Sequence, residues 1–60
     1  MFRVGIDTGG TFTDLVALDE QTGEIRTVKV PSTPHAPAAA PLAAVRQCEL
    51  APDEIARIVL

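Results

Sequence analysis

The chain has few of the residues that small proteins use to stabilise themselves. It has 60 residues with one cysteine, one histidine, two phenylalanines, and neither tryptophan nor tyrosine. Cys48 has no partner for an internal disulfide, and Cys48 with His35 is too small a set for a structural zinc site. A chain of this length buries only about 60% of its unfolded surface. These absences argue against an independent, self-sufficient domain.

Clustered positive charge and long apolar runs are also absent. The net charge is −3, and the five basic residues are scattered: Arg3, Arg26, Lys29, Arg46 and Arg57. No basic stripe suits nucleic acid or an anionic membrane surface. The small-residue run 36–45 contains Pro37 and Pro41 and is too short to span a bilayer. We therefore expect no nucleic-acid or membrane partner, and the lone cysteine without an export signal favours the cytoplasm.

The apolar content is nevertheless high, since 47% of the residues are hydrophobic and many are Val, Ile and Leu. That is too much apolar surface for a disordered tail. The last residues, EIARIVL, lie inside an apolar run without a terminating signal. We expect the chain to be a piece of a larger protein, with the rest of its polypeptide or a partner subunit covering it.

Three strands are predicted in the first half. Residues 2–7 alternate apolar and polar side chains, 12–19 contain the apolar LVAL run, and 24–30 are rich in β-branched residues. Short connections predict an antiparallel meander, and Gly23 is free to take a positive φ in the second turn. Because LVAL is apolar on both faces, we expect that strand to be buried on both sides.

Helices are predicted after the proline-rich linker PSTPHAP. A helix over about 41–49 would have Pro41 in its first turn and an apolar stripe of Leu42, Val45 and the turn at Cys48. A short helix is predicted over about 52–57 and the start of a fourth strand over 58–60. The predicted fold class is α/β.

The most informative stretch is the turn between the first two strands, IDTGGTFTD. A plain hairpin would explain Gly9 and Gly10, because a two-residue turn needs positive φ values. A plain hairpin does not require the residues that flank the glycines. Because Gly9 and Gly10 have no side chains, their backbone amides are expected to form a concavity for anions, and the hydroxyls of Thr8, Thr11 and Thr13 surround it. The carboxylate of Asp7 would repel a lone phosphate, but a Mg²⁺ ion between the two can bind both. These residues predict a nucleotide phosphate and metal site.

Other glycine-rich phosphate loops fit less well. No GxGxxG follows the first strand, no lysine follows the glycines, and a strand rather than a helix comes next. Asp14 has two interpretations: a site residue, or a strand-end carboxylate paired with a backbone amide. Phe12 is expected in the core, because it shares its face with Val16 and Leu18. His35 is expected in solvent and Cys48 to act as a small hydrophobe.

The string GIDTGGTFTDLVALDEQTGEI, followed by KVPSTP, resembles the N-terminus of the hydantoinase A/5-oxoprolinase family, within the actin, sugar-kinase and heat-shock ATPase superfamily. This resemblance implies the opening of a ribonuclease-H-like lobe, with ATP bound between two such lobes. It implies a metal-associated carboxylate at Asp7. Gly9, Gly10 and Thr11 match the family's phosphate-contacting hairpin, and Thr13 and Asp14 match its hallmark. Taken together with the chemistry of the turn, the residues predicted to bind phosphate are Thr8, Gly9, Gly10, Thr11, Phe12 and Thr13. Three departures from the family pattern, at Ala36, Pro41 and Ala51, concern the helix boundaries.

The resemblance implies an enzyme that opens a cyclic amide after ATP phosphorylates the substrate oxygen, or a related ketone carboxylase subunit. The substrate, whether 5-oxoproline, a hydantoin or a ketone, is left open, and the 60 residues alone are expected to be inactive. One alternative is a sugar kinase of the repressor/kinase family, which shares GIDxGGT but usually continues with lysine rather than TFTD. The other is a truncated, non-catalytic chain that binds a partner.

Overall fold

A computed structural model describes residues 1–59 as a four-stranded mixed sheet with one α-helix packed on one face. β1 (Phe2–Thr8), β2 (Phe12–Asp19) and β3 (Ile25–Pro31) form an antiparallel meander. The last strand, β4 (Ile55–Val59), pairs parallel with β1, so the order is β3-β2-β1-β4. The α/β class is confirmed, and the three antiparallel strands are present. The ribonuclease-H-like assignment remains a prediction.

The alternation in β1 places its apolar side chains against the core. Phe2, Val4 and Ile6 are buried, and their register partners on β2 include Ala17 and Leu15, which are also buried. The β2–β3 turn relies on Gly23, whose φ is 77°. An L side chain is disfavoured at such a φ, so the prediction of a positive φ at this glycine is confirmed.

The prediction that β2 is buried on both faces is wrong for these residues. Leu15 and Ala17 lie in the core, but Val16 is 48% exposed and Phe12 is 45% exposed. The predicted core position of Phe12 is therefore also wrong, although it does share its face with Val16. Within residues 1–59 one helix covers one face only, and we call the other face, which carries Asp7, Phe12 and Val16, the open face.

The helix α1 (Ala39–Gln47) presents a narrower stripe to the sheet than the pattern predicted. Ala40, Ala44 and Cys48 are buried, whereas Leu42 is 52% exposed, so Leu42 is not a core residue here. Residues four apart lie on one helix face, and small side chains let that face approach the strands closely. After the helix, Arg26 of β3 donates a hydrogen bond to the Cys48 carbonyl at 2.8 Å.

The helix begins two residues earlier than predicted. Pro41 is its third residue, which is tolerated because the first four amides of a helix have no intrahelical partner. The Thr33 hydroxyl accepts a hydrogen bond from the Ala40 amide at 3.1 Å and donates to the Ala36 carbonyl at 2.7 Å. The helix ends before Glu49, whose φ of 58° is left-handed.

The prediction of a short helix over 52–57 is wrong beyond the first turn. Pro52–Glu54 form a 3-10 turn, and β4 starts at Ile55 because pairing with β1 overrides the local helical tendency. Ala51 lacks a capping side chain, but the Glu54 carboxylate accepts its amide proton at 3.0 Å. The predicted strand 58–60 therefore begins earlier, and its last residue, Leu60, lies outside the described residues.

No helix within residues 1–59 is both long and apolar enough to cross a lipid bilayer.

The open face predicts how the isolated 60 residues behave. Val16, Ile25 and Val59 are exposed there by 48%, 63% and 56%. We expect the isolated chain to self-associate, since uncovered apolar surface and strand edges recruit other chains. Sedimentation should show oligomers, and Val16→Lys should shift them toward monomer. A monomeric wild-type chain with a sharp thermal transition would contradict this prediction.

Candidate functional site

The turn between β1 and β2 differs from the expected hairpin in its backbone. Neither Gly9 nor Gly10 has a positive φ, so the prediction that the glycines supply positive φ values is wrong. Gly9 is needed for a different reason: a Cβ there would lie 3.1 Å from the Phe12 carbonyl oxygen, to which the Gly9 amide donates at 2.9 Å. At Gly10 a Cβ would meet nothing within 4 Å.

Ser32, just after β3, contacts both sides of this turn. Its amide donates to the Thr11 carbonyl at 2.9 Å, and its hydroxyl donates to the Gly9 carbonyl at 2.6 Å. The Thr13 hydroxyl lies 3.0 Å from the Ser32 hydroxyl. The turn is therefore tied to the end of β3 through its carbonyl oxygens.

The amides at the tip are left for another partner. No hydrogen-bond acceptor for the amides of Gly10 or Thr11 is found among the described residues, and both residues are exposed. Backbone N–H groups without an internal partner are the donors that anions use in such turns.

Asp7 lies in register with Asp14, on the open face of the sheet. Asp14 is engaged, because Lys29 Nζ lies 3.7 Å from its Oδ1. This ion pair replaces the backbone partner considered for Asp14, and its exposure limits its worth to about 0–1 kcal/mol. Asp7, by contrast, has neither an ion pair nor a side-chain hydrogen bond within residues 1–59. Of the two carboxylates, Asp7 is the one available to a ligand.

The remaining predicted site residues divide into two groups. Thr8 and Thr11 are exposed at the turn, and Phe12 is exposed at the start of β2, with Lys29 Nζ 5.4 Å from its ring centroid. Thr13 is fully buried on the core side, where its hydroxyl meets Ser32. Thr13 therefore lies behind the turn, in a position to support it rather than to contact a ligand.

Two clefts adjoin the turn. A small one of about 150 Å³ lies between the turn and the linker and is lined by Thr8, Gly9, Gly10, Ser32, Thr33, Pro34 and Pro37. A wider, apolar groove of about 870 Å³ runs between α1 and β4, with Leu42 and Ile58 on its sides and Asp7 and Thr8 at its end. The turn thus stands at the rim of a larger apolar surface.

The other singled-out residues lie away from the turn. His35 is exposed in the linker, as expected. Cys48 is buried in the core, and this burial raises the pKa of its thiol, an effect that the nearby Arg26 charge partly offsets. A buried thiol with a raised pKa is a poor nucleophile, so the interpretation of Cys48 as a small hydrophobe is supported.

The donor set at the turn suits a hydrated cation that prefers oxygen ligands. No group of three or more His, Cys, Asp or Glu side chains comes together within residues 1–59. A cation held mainly by protein ligands, such as zinc, is therefore not supported by this part of the chain. A single free carboxylate fits magnesium, which keeps several waters and binds substrate phosphates.

Sequence reasoning missed Ser32 and Lys29 as neighbours of the site. Both lie in the string KVPSTP: Lys29 was assigned to the predicted strand 24–30, and Ser32 to the proline-rich linker PSTPHAP. One signal could have identified Ser32. It directly follows a strand that pairs with β2, and that pairing brings the end of the strand back to the turn.

Comparison with known proteins identifies the class of molecule that carries this turn. Residues 3–60 match the protein family described as the hydantoinase/oxoprolinase N-terminal region. The chain is 48% identical over 54 residues to an uncharacterized protein of Methanocaldococcus jannaschii. It is 56% identical over 34 residues to caprolactamase subunit alpha of Pseudomonas jessenii.

The chain belongs to the hydantoinase/oxoprolinase family, in its N-terminal region. The matches cover 90% and 57% of this chain but only 8% and 5% of the two relatives, so the chain spans a small part of their length. No solved structure matches it.

Proposed function

We propose that these residues form the N-terminal phosphate-binding part of an ATP-dependent enzyme that opens a cyclic amide. In this proposal the enzyme has two ribonuclease-H-like lobes, and the turn at Gly9–Thr11 holds the nucleotide phosphates. The family described for residues 3–60 and the name caprolactamase of one relative support a cyclic amide as the substrate class.

One observation carries the proposal: within residues 7–11, at the connection between β1 and β2, two backbone amides and one carboxylate have no partner among the described residues. The amides of Gly10 and Thr11 have no acceptor, and Asp7 has no cation, among the described residues. Amides suit phosphate oxygens and the carboxylate suits the hydrated Mg²⁺ that accompanies ATP. The hydroxyls of Thr8 and Thr11 add donors, and Phe12 bounds the site.

The chemistry of a cyclic amide explains why ATP is needed. The amide carbon is a weak electrophile, and transfer of the γ-phosphoryl group to the amide oxygen, with release of ADP, turns that oxygen into a good leaving group. Water can then add to the carbon, the ring nitrogen leaves as a protonated amine, and a second water hydrolyses the resulting acyl phosphate to a carboxylate and inorganic phosphate. In phosphoryl transfer the protein acts mainly by positioning and charge neutralisation, which is the role proposed for Asp7 and the tip amides.

Surfaces on the same residues support a larger surrounding protein. The apolar groove beside α1 and the exposed Val16, Ile25 and Val59 leave apolar side chains uncovered on two sides of the sheet. We propose that the rest of the polypeptide, or a partner subunit, covers them. The 60 residues alone would then lack a complete nucleotide cleft and would be inactive.

The proposal predicts that ADP formation depends on a cyclic amide. We expect the full-length enzyme that contains this region to release about one ADP for each ring opened, and only with Mg²⁺ present. The measurement is ADP and ring-opened product with hydantoin, 5-oxoproline, caprolactam, a ketone with bicarbonate, and a hexose. Ring opening without nucleotide would contradict it, and a phosphorylated hexose would favour a sugar kinase.

A further inference from the structure

The hydroxyl of Ser32 has two neighbours but only one proton. It lies 2.6 Å from the Gly9 carbonyl, which can only accept, and 3.0 Å from the Thr13 hydroxyl, which can donate. The Ser32 proton therefore goes to Gly9, and Thr13 donates to Ser32. The result is a directed chain of hydrogen bonds from the buried Thr13 through Ser32 to the backbone of the turn.

Holding the Gly9 carbonyl determines where the next amide points. No peptide bond among the described residues is cis, and in a planar trans peptide the C=O of one residue and the N–H of the next point in opposite directions. When Ser32 holds the Gly9 oxygen, the Gly10 N–H must point away from Ser32. Ser32 also holds the Thr11 carbonyl through its own amide, so both peptide planes that flank the tip are restrained.

We propose that Ser32 is a positioning residue of the phosphate-binding turn: by holding the Gly9 carbonyl it aims the Gly10 amide at the nucleotide, and by holding the Thr11 carbonyl it restrains the peptide plane that follows the Thr11 amide. The nucleotide as ligand rests on the proposed function, whereas the restraint of the turn by Ser32 does not. Prearranged donors bind an anion more tightly because less ordering is left to do at binding.

Thr33 supplies a matched control from the adjacent position. Its hydroxyl also makes two hydrogen bonds, to the Ala36 carbonyl and from the Ala40 amide, but both lead to the start of α1 rather than to the turn. Thr33→Ala therefore removes the same number of side-chain hydrogen bonds as Ser32→Ala, but none of them involves the turn. A general loss of stability would affect both variants alike.

The experiment uses the full-length enzyme and two readouts. Hydrogen exchange of residues 8–13 should become faster in Ser32→Ala and stay at the wild-type rate in Thr33→Ala. In a titration with Mg-ATP, Kd should rise about tenfold in Ser32→Ala, as expected for two lost hydrogen bonds. Thr33→Ala should keep the wild-type Kd within about twofold, and Ser32→Thr, which retains the hydroxyl, should recover most of the affinity.

The possible results separate the two proposals. A wild-type enzyme that does not bind Mg-ATP overturns the proposed function, while hydrogen exchange still decides the role of Ser32. Unchanged exchange in Ser32→Ala, or an equal change of Kd in both alanine variants, overturns the inference. Should Ser32→Ala fail to fold, Ser32→Cys decides it, because its thiol fills the position but is only a weak donor to the Gly9 carbonyl. Faster exchange of the turn supports the restraint, and a wild-type rate overturns it.

Discussion

Replacing Asp7 by asparagine in the full-length enzyme is expected to lower kcat by about 10²–10³ while much of the Mg-ATP affinity remains. The substitution keeps the size of the side chain but removes the charge that would hold the hydrated metal. In the proposed site the amides of Gly10 and Thr11, which the substitution does not alter, would still bind phosphate oxygens. The loss therefore falls on the transition state more than on the ground state.

Asp14 provides the matched control for this experiment. It lies directly across from Asp7 on the open face, but Lys29 already engages its carboxylate at 3.7 Å. Asp14→Asn removes the same charge from the same part of the sheet and breaks only a weak exposed ion pair. We expect its kcat to fall by less than about tenfold, because a screened neighbouring charge acts weakly.

Steady-state kinetics with Mg²⁺ titrated against each variant provides the measurement. Asp7→Asn should require more Mg²⁺ for half-maximal rate, whereas Asp14→Asn should follow the wild-type metal dependence. If Asp7→Asn keeps the wild-type kcat at every metal concentration, Asp7 is a structural residue and not a metal partner. Equal losses in the two variants would indicate a general electrostatic effect.

The sheet could be predicted well because its signals are local. The alternation of Phe2, Val4 and Ile6 identifies the core face of β1, and β2 spans the predicted residues 12–19. Turn chemistry at Gly23 identified the second connection. Each of these depends on neighbours in sequence, so pattern and structure agree.

The choice of face in β2 could not be predicted, because LVAL is apolar on both sides. Pairing decides it: Val4 and Ile6 lie opposite Ala17 and Leu15, so these side chains join the core and Val16 does not. The same parity places a threonine, Thr13, inside and Phe12 outside, contrary to their usual preferences. A hydrogen bond to Ser32 makes the buried hydroxyl acceptable, and that partner is 19 residues away.

The assignment of residues to phosphate and metal binding stays a prediction, and the geometry of the candidate site could not be predicted from the sequence. The types and order of residues in DTGGT predict a phosphate site, and the Asp7 side chain has no ion-pair or hydrogen-bond partner among the described residues. The prediction of positive φ values at Gly9 and Gly10 is wrong because the turn is not a free-standing hairpin. Its carbonyls bond to Ser32, a contact across the sheet that no local pattern shows.

The geometry of Gly10 makes its replacement the most selective test of the phosphate site. A side chain there would meet nothing within 4 Å, and the φ of Gly10 is not positive, so Gly10→Val should fold normally. The melting temperature without ligand should stay the same or rise slightly, because replacing glycine reduces the entropy of the unfolded chain. The branched side chain would nevertheless occupy the space beside the tip amides.

The expected result is therefore a loss of ligand response without a loss of stability. At a hundredfold excess over Kd, binding stabilises the fold by about 2.7 kcal/mol, so the wild-type enzyme should melt higher with Mg-ATP. The Gly10→Val enzyme should have the same melting temperature with and without Mg-ATP. Gly9→Ala is the opposite control, since its Cβ would lie 3.1 Å from the Phe12 carbonyl and should lower the melting temperature without ligand. A Gly10→Val enzyme that keeps the full nucleotide shift would mean that these glycines only turn the chain.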